Sequence, residues 1–281
     1  MKKSMCVIGG DLRQETVYNL LIRDGFDVKM VGLNCDKFDF KEMEHCKIFV
    51  LPLPVSYDNT YINAPLCKEK AEISQVAEEA MPAGSLVLGG CITAEIRKIF
   101  AKRDVVCIDY FGREELVIKN AIPTAEGAIE IALSELPITL SGSRALVVGY
   151  GRIGRILASR LRAFGAEVTV SARKYSDFAW IEESGATPVH TNGIEGCAGD
   201  FDVIFNTVPA RVLGRNVLEK IPDDTLVIDL ASKPGGVDFT AAKELGKRVI
   251  WALSLPGKTA PITSGKIIKD TILNILQEME V

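Results

Sequence analysis

The chain has 281 residues, 47% of them apolar and 25% charged, with a net charge of −4, which is ordinary for a globular protein long enough for two domains. That balance gives no electrostatic case for nucleic acid or an anionic membrane as a partner. No stretch approaches the ~18 uninterrupted apolar residues of a membrane span, and the apolar run after Met1-Lys2-Lys3 is too short for a signal peptide. The seven cysteines, at 6, 35, 46, 67, 91, 107 and 197, form no Cys-x-x-Cys and read as reduced cytosolic thiols. His45 and His190 lack metal-ligand spacing, so no metal is expected.

In chain order, Met5-Cys6-Val7-Ile8 reads as a strand, Gly9 to Gln14 as a turn, and the residues to Asp24 as a helix. Further strands are expected at Val28–Val31, Lys47–Leu51, Ser85–Leu88 and Val105–Ile108, with a helix over Lys68–Ala80. Short apolar strands alternating with helices imply a parallel sheet covered on both faces. Ligands bind such sheets beyond the carboxyl ends of the strands, which singles out the loops Gly9–Gln14, Pro52–Thr60, Gly89–Thr93 and Asp109–Arg113. Asp11 and Arg13 are the leading functional pair: Arg13 can clamp a carboxylate with two parallel N–H bonds. Asp11 is equally suited to cap the helix, leaving Arg13 a solvated first-turn residue. Gly9-Gly10-Asp11 lacks the third glycine of a nucleotide motif and reads as a substrate-side loop.

Pro123-Thr124-Ala125-Glu126-Gly127 is read as the opening of a linking helix, with Thr124 as its cap. The domain boundary is placed there: 1–122 as the first domain, 123–261 as the second, and the helix 262–281 returning to the first. The second domain centres on Ala145-Leu146-Val147-Val148-Gly149-Tyr150-Gly151-Arg152-Ile153-Gly154. An apolar strand meets Gly-x-Gly-x-x-Gly, and Ile153, Ile156, Leu157, Leu161 and Phe164 follow at helical spacing. Gly149 permits the tight turn, Gly151 lets a pyrophosphate approach the backbone, and Gly154 lets helix and strand pack closely. The phosphates would face the free N–H groups of the helix, along Tyr150, Arg152 and Ile153. An NAD-preferring site usually carries an acid about 20 residues on. This chain has Ser171-Ala172-Arg173-Lys174 there: no carboxylate, but a hydroxyl, a guanidinium and an ammonium suited to a 2′-phosphate. NADP(H) is therefore expected over NAD(H), with a solvated basic loop as the plainer reading.

A helix is expected over Ser176–Ser184, an extended segment at Thr187–His190, and strands at Asp202–Asn206, Thr225–Leu230 and Arg248–Ala252. Thr207-Val208-Pro209 would lie beside the ribose, and the loop from Ala231 to Gly236 would face the nicotinamide. The last helix spans roughly 262–280, with a buried stripe from Ile267 to Met279. The fold class is thus α/β: two doubly wound parallel-sheet domains, a flavodoxin-like N-terminal one and a Rossmann dinucleotide-binding one.

These stretches resemble the A-subunit family of the dipicolinate synthases. The likeness is carried by Ile8-Gly9-Gly10-Asp11 with Arg13-Gln14, by Pro123 to Gly127, Gly149 to Gly154, Ala172-Arg173 and Asn206 to Pro209, and by two more specific runs. Those are Asp229-Leu230-Ala231-Ser232-Lys233-Pro234-Gly235-Gly236 and Leu255-Pro256-Gly257-Lys258-Thr259-Ala260-Pro261. The resemblance implies NADP-dependent oxidation of dihydrodipicolinate, or of its hydroxylated tetrahydro precursor, to dipicolinate in the mother cell of a spore-former. It also implies a partner, the flavoprotein-like B subunit of the same synthase. A homo-oligomer is expected. The D-2-hydroxyacid and alanine dehydrogenases are broader relatives, but no Arg/Glu/His catalytic set of the hydroxyacid group is recognisable here. For a small dicarboxylate substrate, Arg13, Ser56, Gly89, Gly90, Lys233 and Lys258 are the proposed ligands and Asp11, or a water it holds, the base. Lys233 and Lys258 read equally well as solvated loop charges. The rivals are a dehydrogenase of another small carboxylate and a non-catalytic regulatory protein that binds NADP(H).

Overall fold

A computed structural model describes residues 4–280. The chain divides into two compact units, one of residues 1–120 with 260–281 and the other of residues 121–259.

The first unit contains β1 (Met5–Ile8), α1 (Leu12–Arg23), β2 (Val28–Val31), β3 (Ile48–Val50), α2 (Ile73–Ala80), β4 (Leu86–Gly89), α3 (Ala94–Ala101) and β5 (Val106–Asp109). Its strands pair in parallel in the order β2-β1-β3-β4-β5, the flavodoxin-like winding. Alternate side chains serve opposite faces. Cys6, Ile8, Phe49 and Val87 join one core, while Met5, Val7, Val50 and Leu88 join the other.

The chain passes to the second unit within α4 (Glu114–Glu135). There follow β6 (Arg144–Val148), α5 (Arg152–Ala163), β7 (Glu167–Ala172), α6 (Tyr175–Glu183), β8 (Thr187–His190), α7 (Ile194–Cys197), β9 (Val203–Asn206), α8 (Arg215–Leu218), β10 (Leu226–Asp229), α9 (Phe239–Glu244), β11 (Arg248–Trp251) and α10 (Leu255–Thr259). The parallel order β11-β10-β9-β6-β7-β8 is the Rossmann winding. The chain is thus an α/β protein of two doubly wound units, as the sequence predicts. The last helix, α11 (Pro261–Glu278), belongs to the first unit, where Ile268 and Ile272 pack with Val17 and Leu21 of α1. Lys269 of α11 ties to Asp24 at 2.7 Å, and Arg113 grips Glu278 through both terminal nitrogens.

Three local readings are corrected. Pro123 does not open a helix and Thr124 does not cap one; both lie inside the 22-residue α4. A proline removes one backbone bond there, but buried Leu116, Ala121, Ala125, Ala128 and Ala132 keep the helical stripe continuous across it, and packing outweighs the local signal. Gly127 serves closeness: a Cβ there would stand 2.6 Å from Thr259 Oγ1 and 3.2 Å from Leu255 Cβ. The helix expected from Lys68 begins only at Ile73, because the preceding residues pair with other segments, Cys67 with Cys35 and Glu72 with Tyr61. Leu255–Thr259, read as a loop, is α10.

Candidate functional site

The glycine turn of the second unit is built from its strand neighbours. Gly149, at φ +99°, would place a Cβ 2.6 Å from Thr207 Oγ1, and a Cβ on Gly154 would stand 2.0 Å from the Gly149 carbonyl oxygen. Gly149 N–H donates to Ser171 Oγ at 3.2 Å, and Thr207 Oγ1 donates to the Val148 carbonyl at 2.9 Å. A Cβ on Gly151 would meet nothing within 4 Å. Gly151 also begins α5 without a side-chain cap, so the turn is braced from below and open above. That is the combination an anion at a helix N-terminus needs.

The turn opens on a cleft of about 610 Å³ lined by Gly149, Tyr150 and Gly151, by Ser171 to Lys174, and by Thr207, Val208 and Pro209. Arg173 and Lys174 are exposed at its rim, just beyond the end of β7. Arg152 is exposed on the first turn of α5, and Ile153 leans into the core. Ser171 is fully buried and its oxygen accepts the Gly149 amide; it props the turn from beneath, whereas the sequence reading gives it a phosphate. Ala231 is not among the cleft-lining residues. Its N–H donates to Asp229 at 3.0 Å and its carbonyl accepts Trp251 Nε1 at 3.0 Å.

Sequence reasoning missed two features of this unit. Asp177 and Thr191 also line the cleft, and Asp177 faces Arg155 at 3.5 Å, whose guanidinium lies 4.8 Å over the Tyr150 ring. An acid in the first turn of the next helix is the signal that could have shown Asp177. The second feature is the Asn206–Asp229 pair, both fully buried at adjacent strand ends. Asn206 Nδ2 donates to Asp229 Oδ1 at 2.7 Å, Ala231 N–H donates to the same oxygen, and Gly236 N–H donates to Oδ2 at 2.8 Å. One carboxylate thus fixes both ends of the 231–236 loop. Lys233 and Lys258 are exposed, and neither side chain makes a hydrogen bond or ion pair with another described residue.

The first unit treats its expected site residues differently. Asp11 caps α1 by accepting Arg13 N–H at 3.0 Å. Arg13 Nε and Nη2 both donate back to the Asp11 carboxylate, at 2.9 and 2.8 Å, and Nη2 also donates to the Leu53 carbonyl at 2.7 Å. Burial works to raise the Asp11 carboxyl, but the guanidinium prevails and holds it below its ordinary 3.8. Asp11 is therefore a poor base, and the two-bond edge of Arg13 is spent within the chain; only its Nη1 edge is unused among the described residues. Ser56 is likewise engaged locally, donating to Asp58 Oδ1 at 3.0 Å. Gly89 and Gly90 are packing glycines rather than anion donors. A Cβ on either would come within 2.6 Å of Val55 or 2.5 Å of Leu53, and Gly90 N–H donates to the Pro52 carbonyl. Asp109 accepts N–H bonds from Cys91, Ile92 and Phe111, at 3.0, 2.9 and 2.8 Å.

Two family models match successive parts of the chain. Residues 4–111 match the N-terminal domain of the dipicolinate synthase A-subunit, and residues 125–233 match the NAD binding domain of the D-isomer specific 2-hydroxyacid dehydrogenases. The dipicolinate synthase A-subunit of Bacillus subtilis is 31% identical over 98% of this chain and 96% of its own. The chain belongs to the dipicolinate synthase A-subunit family. The crystal structure of the family member from Bacillus halodurans superposes with a TM-score of 0.88 at 31% identity, covering 98% of both chains. A transhydrogenase from Sinorhizobium meliloti shares the fold alone, at 14% identity and a TM-score of 0.71 over 98% of this chain and 94% of its own. The dehydrogenase-type domain of this family member supports a nicotinamide cofactor and an oxidoreductase. No helix among the described residues is long and apolar enough to cross a membrane.

Proposed function

We propose that this family member binds NADP(H) in its second unit and oxidises dihydrodipicolinate, or the hydroxylated tetrahydro precursor, to dipicolinate during sporulation. We further propose that it acts as a homo-oligomer with a B subunit in the mother cell. The single observation that carries the cofactor reading is the open Gly151 cradle with Arg173 and Lys174 at its rim and no carboxylate at the end of β7. The helix N–H groups of α5 would hold the pyrophosphate, and the guanidinium and ammonium would hold the 2′-phosphate.

Converting a dihydropyridine dicarboxylate to its pyridine removes a hydride and a proton. Bound NADP⁺ supplies the hydride acceptor. The chain's own residues orient and neutralise. Asp229 and Asn206 immobilise the 231–236 loop, which would present Lys233 to a substrate carboxylate. Lys258 is a second unengaged ammonium of that unit, and Arg13 retains one Nη1 edge for a single-ended bond. Proton loss driven by aromatisation needs only a weak base such as water, consistent with an Asp11 that is already ion-paired.

The test is reduction of NADP⁺ and NAD⁺ by the purified chain with freshly generated dihydrodipicolinate, with and without the B subunit. NADPH and dipicolinate formed by this chain alone establish it as the dehydrogenase. Turnover only with the partner means either a site at the subunit interface or an accessory role for this chain as a cofactor-binding protein without a complete active site, and variants at Arg13 and Asp11 separate the two. Tight NADP binding without turnover in either mixture removes the substrate assignment.

A further inference from the structure

Two thiols of the first unit stand together, and neither has a part in the function proposed above. Cys35 Sγ and Cys67 Sγ are 3.5 Å apart although 32 positions separate them in the chain. Their backbones pair as an isolated parallel bridge, which sets neighbouring segments at the ~4.8 Å spacing of paired strands. A disulfide needs Cα atoms roughly 4.4–6.8 Å apart, so the backbone already meets its requirement and only side-chain rotation remains. The register is held by the residues that follow the pair on each segment. Lys68 N–H donates to the Cys35 carbonyl at 3.3 Å and Glu69 N–H to the Asp36 carbonyl at 3.1 Å. Lys68 Nζ pairs with Asp36 at 2.7 Å, and Phe38 N–H donates to Glu69 Oε2 at 2.8 Å.

Both thiols are partly exposed and line an open depression of about 440 Å³, so a small oxidant reaches them. Cys6 and Cys46, by contrast, are buried. Burial, reinforced by the adjacent Cys35 sulfur, pushes the Cys67 thiol up to about 11. A thiol held that high is a poor attacking group near neutrality, so Cys67 is assigned the resolving role and Cys35 the attacking one.

We propose that Cys35 and Cys67 are a site of reversible oxidation, a dithiol that hydrogen peroxide converts to a disulfide. The Cys35 thiolate attacks one peroxide oxygen, the O–O bond breaks, and hydroxide leaves to be protonated, giving a sulfenic acid on Cys35. The Cys67 sulfur then attacks Cys35 Sγ, the S–O bond breaks, and the departing hydroxide takes the Cys67 proton as water. Two thiols and one peroxide thus become one disulfide and two waters, and a dithiol reductant reverses the change. The bridge would tie segment 34–36 to segment 62–67. That second segment lies against the first βα turn: Gly10 N–H donates to the Asn63 carbonyl at 2.7 Å, and Ile62 and Ala64 flank Gly9.

The experiment is equimolar hydrogen peroxide on the reduced full chain, followed by alkylation and peptide mapping. The expected result is loss of two of the seven thiols, one cross-linked peptide containing Cys35 and Cys67, and recovery of all seven with dithiothreitol. Cys35→Ser and Cys67→Ser should each abolish that peptide, and phenylarsine oxide, which needs two adjacent thiols, should bind the wild type and neither variant. Cys35 and Cys67 recovered as free thiols or as separate sulfinic acids would overturn the proposal, and the wild-type map decides this whatever the variants do. Equal arsenical binding by all three proteins would overturn it as well.

Discussion

Each unit places a glycine-rich turn after its first strand, and the two turns are used in opposite ways. In the second unit, Gly149 and Gly154 are pressed against Thr207 and against each other, while Gly151 faces open space. In the first unit, a Cβ on Gly10 would stand 2.1 Å from Gln14 Cγ, its amide is taken by Asn63, and Asp11 and Arg13 close on one another beside it. Glycine at a strand end marks a close approach; what approaches is decided by the following side chains. In the first unit it is the chain itself, and in the second a space is left. The two sheets share a device nonetheless. Asp109 at the end of β5 and Asp229 at the end of β10 each collect amide donors from the loops around them.

The largest effect should come from breaking that shared device. Asp229→Ala leaves three buried donors unpaired and should cost about 3 kcal/mol or more, read as a shift in denaturant midpoint. Asp109→Ala, in a half-buried setting, should cost less, about 2 kcal/mol; equal losses would show that burial does not separate the two loops. Next, Gly151→Ala should weaken dinucleotide binding by about 30-fold, or about 2 kcal/mol, while leaving the melting temperature in place, because its methyl meets nothing in the protein. A drop in stability matching the drop in affinity would show that the turn is not open. Removing Arg173 and Lys174 together should lower NADP(H) affinity about tenfold, or about 1.4 kcal/mol, and leave NAD(H) affinity unchanged; calorimetry with both cofactors distinguishes this from a solvated basic loop.

The closed turn gives a smaller effect with a pH signature. At neutral pH, Asp11→Asn should be less stable than wild type by about 1 kcal/mol, the exposed side of the pair reducing its worth. The folded-state carboxyl lies below its ordinary 3.8, so its contribution is fully present above that value and is lost as the pH falls through the folded-state value. Parallel acid titrations of the two proteins should therefore converge only in strong acid; convergence near neutrality would remove the ion pair from the account. The smallest change is expected at Gln14, whose buried Oε1 has no hydrogen-bond partner among the described residues. Gln14→Met should stay within about 0.5 kcal/mol of wild type or improve on it, because the one bond it gives up, Nε2–H to the Val50 carbonyl, is long at 3.4 Å; a large loss would mean that the side-chain amide is better satisfied in solution.

Sequence alone determined the alternation of apolar strands and helices, the two parallel sheets, the strand–turn–helix at Gly149–Gly154, and the family. Each is legible because its signal lies within one element or one turn: apolar periodicity follows from backbone geometry, and a positive φ such as that of Gly149 demands glycine locally. It did not determine where α4 begins, because buried residues on both sides of Pro123 outweigh a local breaker. Nor did it determine that Asp11 and Arg13 satisfy each other, that Ser171 lies beneath its turn, or that Asp229 anchors a loop through Asn206, which is 23 positions away. Only the tertiary structure brought Cys35 to Cys67. Burial, loop anchoring and thiol proximity depend on which segments the sheet order sets side by side, and that is a property of the folded chain rather than of any stretch within it.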